Sequence, residues 1–162
     1  MSRNKPAWPI LASGVLELVG KDEEINTNDM SAEAEYELPA SEAECSGTIL
    51  SVGLYAAETG DGAVLTSAGQ LLVFDSDPGV TSGDTSLTDA VRKTQIGAIT
   101  VASTAWQTIG ASGFAYVTGT EVPFQACDKL YFVWLHTDEQ DINDAAGHDE
   151  TLSMRFWYRK ES

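Results

Sequence analysis

An acidic stretch near the C-terminus, HTDEQDINDAAGHDE at residues 136–150, has the side chains from which a cation site could be built. Calcium takes about six to eight oxygen ligands, and Asp138, Asp141 and Asp144 are the candidates. An EF-hand loop counted from Asp141 fails, because its fifth position is alanine and its twelfth is leucine. We predict a solvated polar loop between two strands, with no metal ion and no cofactor; a looser calcium site is the alternative.

The sequence contains no motif that indicates hydrolytic catalysis. The histidines are His136 and His148, and no Gly-x-Ser-x-Gly elbow, His-Glu-x-x-His motif or phosphate-binding loop accompanies them. A Ser-His-Asp triad needs its members to meet only in space, so the sequence leaves that arrangement open. We predict that the protein is not an enzyme.

Three glutamates alternate with apolar residues in SAEAEYELP, residues 31–39. Glu33, Glu35 and Glu37 fall at every second position, which is the period of a strand, and Pro39 ends the run. Neighbours on one face of a strand lie about 6.8 Å apart, so three carboxylates in a line do not converge on one ion. We interpret this glutamate stripe as structural.

The last strand signal offers a counterpart of opposite charge. In LSMRFWYR, Arg155, Trp157 and Arg159 lie on one face and apolar residues lie on the other. If the two strands are neighbours in one subunit, the stripes form cross-strand pairs. If they belong to different subunits, the stripes form a complementary interface. We favour the intramolecular arrangement and keep both stripes as interface candidates.

Charge is distributed unevenly along the 162 residues. The net charge is −16, yet basic residues cluster at both ends, where Arg3 and Lys5 precede Trp8. An acidic body argues against direct nucleic-acid binding, which needs clustered Lys and Arg. No apolar run of about 20 residues is present, so no membrane span is predicted. We interpret the molecule as an acidic, solvated body with basic, aromatic ends that suit docking, and we count Arg3, Lys5 and Trp8 among the interface candidates.

Short strand signals, separated by turns rich in Gly, Asp and Ser, fill most of the chain. Two prolines keep residues 1–9 extended, which predicts an N-terminal arm ahead of a single domain at residues 10–162. One short helix is predicted in SLTDAVRK, where Ser86 and Asp89 match a capping box. The predicted fold class is all-β: an antiparallel β-sandwich with a jelly-roll-like arrangement.

The segment KLYFVWLHT, residues 129–137, is apolar at every position from Leu130 to Leu135. A strand with one wet face alternates instead, so both faces of this strand should be covered. The opposite sheet covers one face, and the chain's own loops, an arm or another subunit covers the other.

The two cysteines, Cys45 and Cys127, lack any metal-ligand spacing. We predict two thiols. Because each precedes an apolar run, a disulfide between neighbouring strand ends is the alternative.

Four segments in the middle of the chain form a recognisable series: GTILSVGLY, GQLLVFDSDPG, DTSLTDA and IGAITVASTAW, with the matching positions at 47–52, 71–78, 84–90 and 96–101 and at Trp106. The series resembles the virion proteins of tailed phages that decorate the capsid. The resemblance implies a protein on the outside of the head, assembled in the host cytoplasm, with the major capsid protein as partner. It also implies a homo-oligomer, for which we favour a trimer, and it brings no catalytic or ligand-binding residue.

Two other functions stay open. A carbohydrate-binding β-sandwich module could stack sugars on Trp106, Trp134 and Trp157, provided that two or more aromatic rings lie coplanar on one open face. A tail or fibre component of the virion would show the same sequence features as a head protein.

Overall fold

The computed structural model describes residues 9–21, 23–39, 45–58, 67–143 and 150–161. Several predicted features lie outside these ranges: Arg3, Lys5 and Trp8 of the N-terminal arm, and Asp144 and His148 of the acidic stretch. The predicted boundary between arm and domain therefore stays a prediction.

The described residues form ten strands in two antiparallel sheets. The larger sheet contains β1 (Ile10–Ala12), β2 (Leu16–Val19), β4 (Cys45–Glu58), β7 (Trp106–Ile109), β8 (Ser112–Cys127) and β10 (Glu150–Lys160). The smaller sheet contains β3 (Ala34–Glu37), β5 (Gly69–Phe74), β6 (Gln95–Val101) and β9 (Lys129–His136).

The order of the strands is that of a jelly roll. The larger sheet runs β1-β10-β4-β8-β7, with β2 also paired to β10, and the smaller sheet runs β3-β9-β5-β6. The chain crosses from one sheet to the other at most of its connections, so that late strands lie between early ones, as in two interleaved Greek keys. The predicted all-β antiparallel sandwich is confirmed.

The main core lies between the two sheets. Strand β10 contributes Leu152, Met154, Phe156 and Tyr158, all fully buried, so its predicted apolar face is confirmed. From the smaller sheet, Phe132 and Trp134 of β9 are equally buried. Alternation with period two is what turns these side chains to one side of each strand.

A second, smaller core covers the outer face of the smaller sheet. Leu72, Phe74 and Val133 turn outward from β5 and β9 and are buried beneath the chain's own loops, which contribute Met30 and Val80. The prediction that both faces of the strand in KLYFVWLHT are covered is therefore confirmed, and loops of the same chain provide the second cover.

The predicted short helix exists as a single turn, α1 (Asp89–Arg92). Its N-cap is Thr88 rather than Ser86, because Thr88 is extended and its hydroxyl accepts a hydrogen bond of 3.3 Å from the Val91 N–H. Among the described residues, no helix is long and apolar enough to cross a membrane.

The cysteines meet at one end of the sandwich. Cys45 begins β4 and Cys127 ends β8, and the two lie directly opposite each other in the pairing of these strands. Both are buried thiols. Burial, with a smaller contribution from the Asp75 carboxylate, raises the pKa of Cys127 to about 11.

Candidate interaction surface

The outer face of the larger sheet is open to solvent. Four of the five large apolar side chains exposed in the described residues lie on it: Ile10 (65% exposed), Ile109 (86%), Phe114 (38%) and Tyr116 (48%). We call this surface the open face; it is formed by the outward side chains of β1, β10, β4, β8 and β7. The outer face of the smaller sheet is covered by loops, so the two outer faces of the sandwich differ in their exposure to solvent.

Strand register places the outward side chains in rows across the open face. Antiparallel partners share one side of a sheet, so each row can be read from the pairing. The rows are Trp157, Ser51 and Thr118; Arg155, Gly53 and Tyr116; Ser153, Tyr55, Phe114 and Gln107; and Thr151, Ala57, Ser112 and Ile109.

Aromatic rings meet within one of these rows and between neighbouring rows. Tyr55 and Phe114 have ring centroids 5.3 Å apart, and Phe114 stacks beside Tyr116 at 6.3 Å with an interplanar angle of 17°. Tyr116 then meets Trp157 edge-on at 5.6 Å. Gly53 leaves the room for this, because a Cβ there would approach the Tyr55 hydroxyl and the Trp157 ring to 3.3–3.4 Å.

The first part of β8, residues 113–117, inverts the usual distribution of side chains. It turns Phe114 and Tyr116 outward, while Gly113, Ala115 and Val117 face the core. Large aromatic residues contribute most when buried, so a strand that exposes them and buries small residues points to a function at the surface. Neither aromatic was among the predicted interface residues, because neither face of GFAYVTG carries a charge that would mark it as the outer one.

One end of the open face is basic. The Arg155 guanidinium lies 5.3 Å from the centroid of the Trp157 ring, and its Nε donates to the Ser13 carbonyl at 3.3 Å. Arg159 forms an ion pair with Glu161 at 2.9 Å, which lowers the pKa of that carboxyl. With Ile10 beside Arg159 in the register, these residues form what we call the basic end.

The other end holds a groove of about 430 Å³. Tyr55, Phe114 and Ile109 form its apolar part, and polar side chains from three strands complete it: Gln107, Ser112, Thr151 and Ser153. We call this the groove end. No charged side chain lines it among the described residues.

The glutamate stripe does not lie next to the arginine stripe. Strand β3 pairs with β9, and Glu35 forms an ion pair of 2.7 Å with Lys129, which raises the pKa of that lysine. Strand β10 lies in the opposite sheet, so the intramolecular arrangement that we favoured is wrong. The inward faces explain why: Tyr36 packs edge-on against Phe156 across the core at 4.9 Å, which points the two charged stripes in opposite directions.

Glu33 and Glu37 have separate surroundings. Glu37 lies opposite Lys129 in the β3–β9 register and is exposed. Glu33 precedes β3 and accepts a hydrogen bond of 3.1 Å from the Gly79 N–H. Burial, together with the hydrogen bond and charge of Asp77, raises the pKa of Glu33. Pairing of the two stripes between subunits stays a prediction.

Within the described residues, aspartates of the acidic stretch accept hydrogen bonds from backbone N–H groups of nearby loops. Asp138 accepts from the N–H groups of Ala68 and Gln140, both at 3.0 Å. Burial alone would raise the pKa of Asp138, but these donors outweigh it and hold that pKa below its ordinary value. Asp141 accepts from the Thr27 N–H at 2.9 Å. No group of three or more acidic, His or Cys side chains is placed to hold a metal ion within the described ranges.

His136 is a buried structural residue. Its Nδ1 accepts from the Trp134 indole N–H at 3.3 Å, and its Nε2 lies 2.7 Å from the Gln140 carbonyl, to which it donates. Both ring nitrogens are thus engaged in hydrogen bonds inside the fold.

The tryptophan platform proposed for sugar binding is wrong. Trp134 is fully buried, and Trp106 is 7% exposed with its indole N–H donating to the Ser67 carbonyl at 2.8 Å. Only Trp157 of the three reaches the open face. Phe114 and Tyr116 also reach the open face, but their rings stack in roughly parallel planes and do not lie in one plane.

No protein-family model matches the sequence, and no curated protein sequence matches it. Among solved structures, FlhE is similar at 16% identity over 91% of this chain and 97% of that chain, with a TM-score of 0.38. A protein of Sacbrood virus of honeybee in expansion state I is similar at 11% identity over 100% and 88%, with a TM-score of 0.37. A protein of the Kashmir bee virus empty particle at acidic pH is similar at 9% identity over 99% and 94%, with a TM-score of 0.36. At these identities and TM-scores the likeness carries no argument about function.

Proposed function

We propose that the protein is a virion structural protein that decorates the outside of a phage head and stabilises the shell by non-covalent contacts. The observation that carries the proposal is the open face, where an acidic chain exposes aromatic side chains next to Arg155. Exposed apolar patches mark interaction sites, and aromatic residues and Arg are enriched in the cores of interfaces. The sequence resemblance supports the major capsid protein as the partner.

The basic end of the open face is the docking surface in this proposal. Trp157 and Ile10 supply apolar area, which stabilises a contact by about 25 cal/mol for each Å² removed from water. Arg155 supplies charge and makes no ion pair with any described residue, so it is available to a carboxylate on the shell. The rest of the molecule is acidic, and electrostatic repulsion between copies prevents their non-specific aggregation on the shell.

The proposal includes a homo-oligomer, with a trimer favoured. Because the glutamate and arginine stripes lie on opposite sides of the sandwich, their pairing between copies would be head-to-tail, which gives a ring such as a trimer where the rotation closes and a filament where it does not. An arginine stripe paired in this way would not face the shell, so stripe pairing and shell docking are alternative uses of the basic end. Light scattering from the full-length chain tests this part. A monomer at high concentration would remove the oligomer from the proposal and leave docking as the remaining claim.

Co-sedimentation with purified heads tests docking. The heads are those of the phage that encodes the chain, freed of their own decoration protein. We expect saturable binding by the wild-type chain and loss of binding in the double variant R155E/W157A. The matched control is K93E, an exposed charge next to α1 on the covered side, which should bind like wild type. Failure of the folded wild-type chain to bind, or full binding by the double variant, would overturn the proposal.

A further inference from the structure

We infer that the groove end of the open face is a binding site for a neutral saccharide, with a pyranose ring stacked on Phe114 and Tyr55. The inference goes beyond shell decoration and does not depend on it, because the groove and the basic end occupy different parts of the same face. Four observations carry it: the aromatic floor, the polar rim, the uncharged side chains of the described lining and the size of the groove.

The aromatic floor has the geometry for stacking. Two aromatic rings line the groove: Tyr55 and Phe114 have centroids 5.3 Å apart and planes tilted by 33°, and Phe114 is 38% exposed. An aromatic face carries partial negative charge, so it attracts the weakly positive C–H groups on one side of a pyranose ring.

The polar rim has unused hydrogen-bonding capacity. Gln107, Ser112, Thr151 and Ser153 line the groove, and none of their side chains makes a hydrogen bond to a described residue. Hydroxyl and amide groups both donate and accept, as the hydroxyls of a sugar do. A purely apolar ligand would leave these four groups without partners, whereas a saccharide would engage them.

The lining selects against charge. The chain carries a net charge of −16, yet no acidic or basic side chain lines the groove in the described part of the chain. An anionic sugar would meet the repulsion of the acidic body, and the described lining residues offer no cation to offset it. A neutral hexose or N-acetylhexosamine is not repelled by the acidic body and needs no cation in the groove.

The size and placement of the groove also fit a small ligand. Its volume of about 430 Å³ falls within the range of roughly 300–1,000 Å³ that is usual for small-molecule sites. Such sites combine a mainly apolar lining with a few polar groups that fix orientation. Phe114 supplies part of that apolar lining because it points outward. Its neighbours that point into the core are small, so the core loses the burial of an aromatic ring there.

The test is a titration followed residue by residue. Backbone amide spectra of the full-length chain are recorded against the methyl glycosides of glucose, galactose, mannose and N-acetylglucosamine, up to about 10 mM. We expect saturable shifts in β4, β7 and β8 near the groove with at least one glycoside. F114A should weaken that binding by about tenfold, since it removes the stacking platform. F114Y, which keeps a ring, should retain it.

Controls separate this inference from shell docking. R155E/W157A alters the basic end and should leave saccharide affinity within about twofold, whereas F114A should leave shell binding unchanged. Near-wild-type amide spectra for each variant show that the fold is intact. The inference is overturned if no glycoside shifts the groove residues of the folded wild-type chain. Shifts that map elsewhere, or affinity unaffected by F114A, overturn it equally.

Discussion

The hydroxyls of Tyr36 and Tyr158 lie 3.1 Å apart and hydrogen-bond to each other across the core, one from each sheet. Tyr158 is fully buried, and its burial, with the hydrogen bond to Tyr36, raises its pKa. Tyr36 is only half-buried. This contact joins β3 to β10, the strands that carry the glutamate and arginine stripes on their outer sides, and it fixes those stripes on opposite surfaces.

Removing either hydroxyl should have unequal effects on stability. Y36F leaves the Tyr158 hydroxyl buried without its partner, which costs about 1–3 kcal/mol in the free energy of unfolding. Y158F leaves a hydroxyl that water can reach, so we expect a loss of about 1 kcal/mol or less. Urea denaturation of both variants and of the double variant measures the difference. Equal losses would show that water reaches both positions.

Cys127 should react slowly with alkylating agents. Burial raises its pKa to about 11, and only the thiolate is nucleophilic. At pH 8 its thiolate fraction is about 200-fold smaller than that of an ordinary cysteine, and the rate should rise as pH increases toward 11. In C45S, which leaves Cys127 as the single cysteine, iodoacetamide labelling followed by mass spectrometry gives the rate. Labelling as fast as that of a free cysteine peptide would contradict the prediction.

Neutralising Glu58 should stabilise the protein. Glu58 and Glu150 lie directly opposite each other on β4 and β10, both are buried, and one carboxylate oxygen of Glu58 has no hydrogen-bond partner among the described residues. Like charges placed opposite each other on a sheet are destabilising. E58Q should therefore raise the free energy of unfolding at pH 7 by roughly 0.2–1 kcal/mol.

The matched control for E58Q is E17Q, an exposed glutamate on β2, which should leave stability nearly unchanged. Urea denaturation of both variants, with and without EDTA, gives the comparison. Destabilisation by E58Q that disappears with EDTA would mean that the carboxylates hold a cation, contrary to the prediction.

Glu33 should make stability depend on pH. Burial, then the hydrogen bond that protonated Glu33 donates to the Asp77 carboxylate, raises the pKa of Glu33, so the folded state prefers the protonated form. The Glu33 carboxyl therefore adds to the free energy of unfolding at pH values below its pKa in the unfolded chain. This contribution is lost as the pH rises through its higher pKa in the folded state. E33Q should raise Tm relative to wild type more at pH 7 than at about pH 4. Equal shifts at both values would show that the carboxyl titrates normally.

How far the sequence predicts this molecule depends on whether charge marks one face of a strand. In β10 the arginines alternate with large apolar residues, so the buried face was predictable and is confirmed. In the first part of β8, residues 112–119, both faces are uncharged, and the usual preference for burying aromatics would have placed Phe114 inward. The groove end, which depends on this strand, was therefore not predictable.

Strand neighbours were harder to predict than strand faces. Opposite charges on adjacent strands contribute only about 0.2–1 kcal/mol for each pair, which is small beside the burial of Phe156 or Tyr158. Packing across the core therefore decides which sheet a strand joins, and the sequence alone does not show that packing. The burial of β9, in contrast, could be predicted from its own residues. A strand covered on both faces is apolar at every position, and this pattern can be recognised without knowing which strands lie beside it.

The position of β10 also sets the order in which the molecule can be assembled during translation. This strand, residues 150–160, lies between the N-terminal strands β1 and β2 on one side and β4 on the other. The ribosome must synthesise it before the two parts of the larger sheet can be joined. Until then, the early strands carry exposed edges and an incomplete core, which favour aggregation and chaperone binding. The consequence is a slow, late folding step governed by contacts distant in sequence.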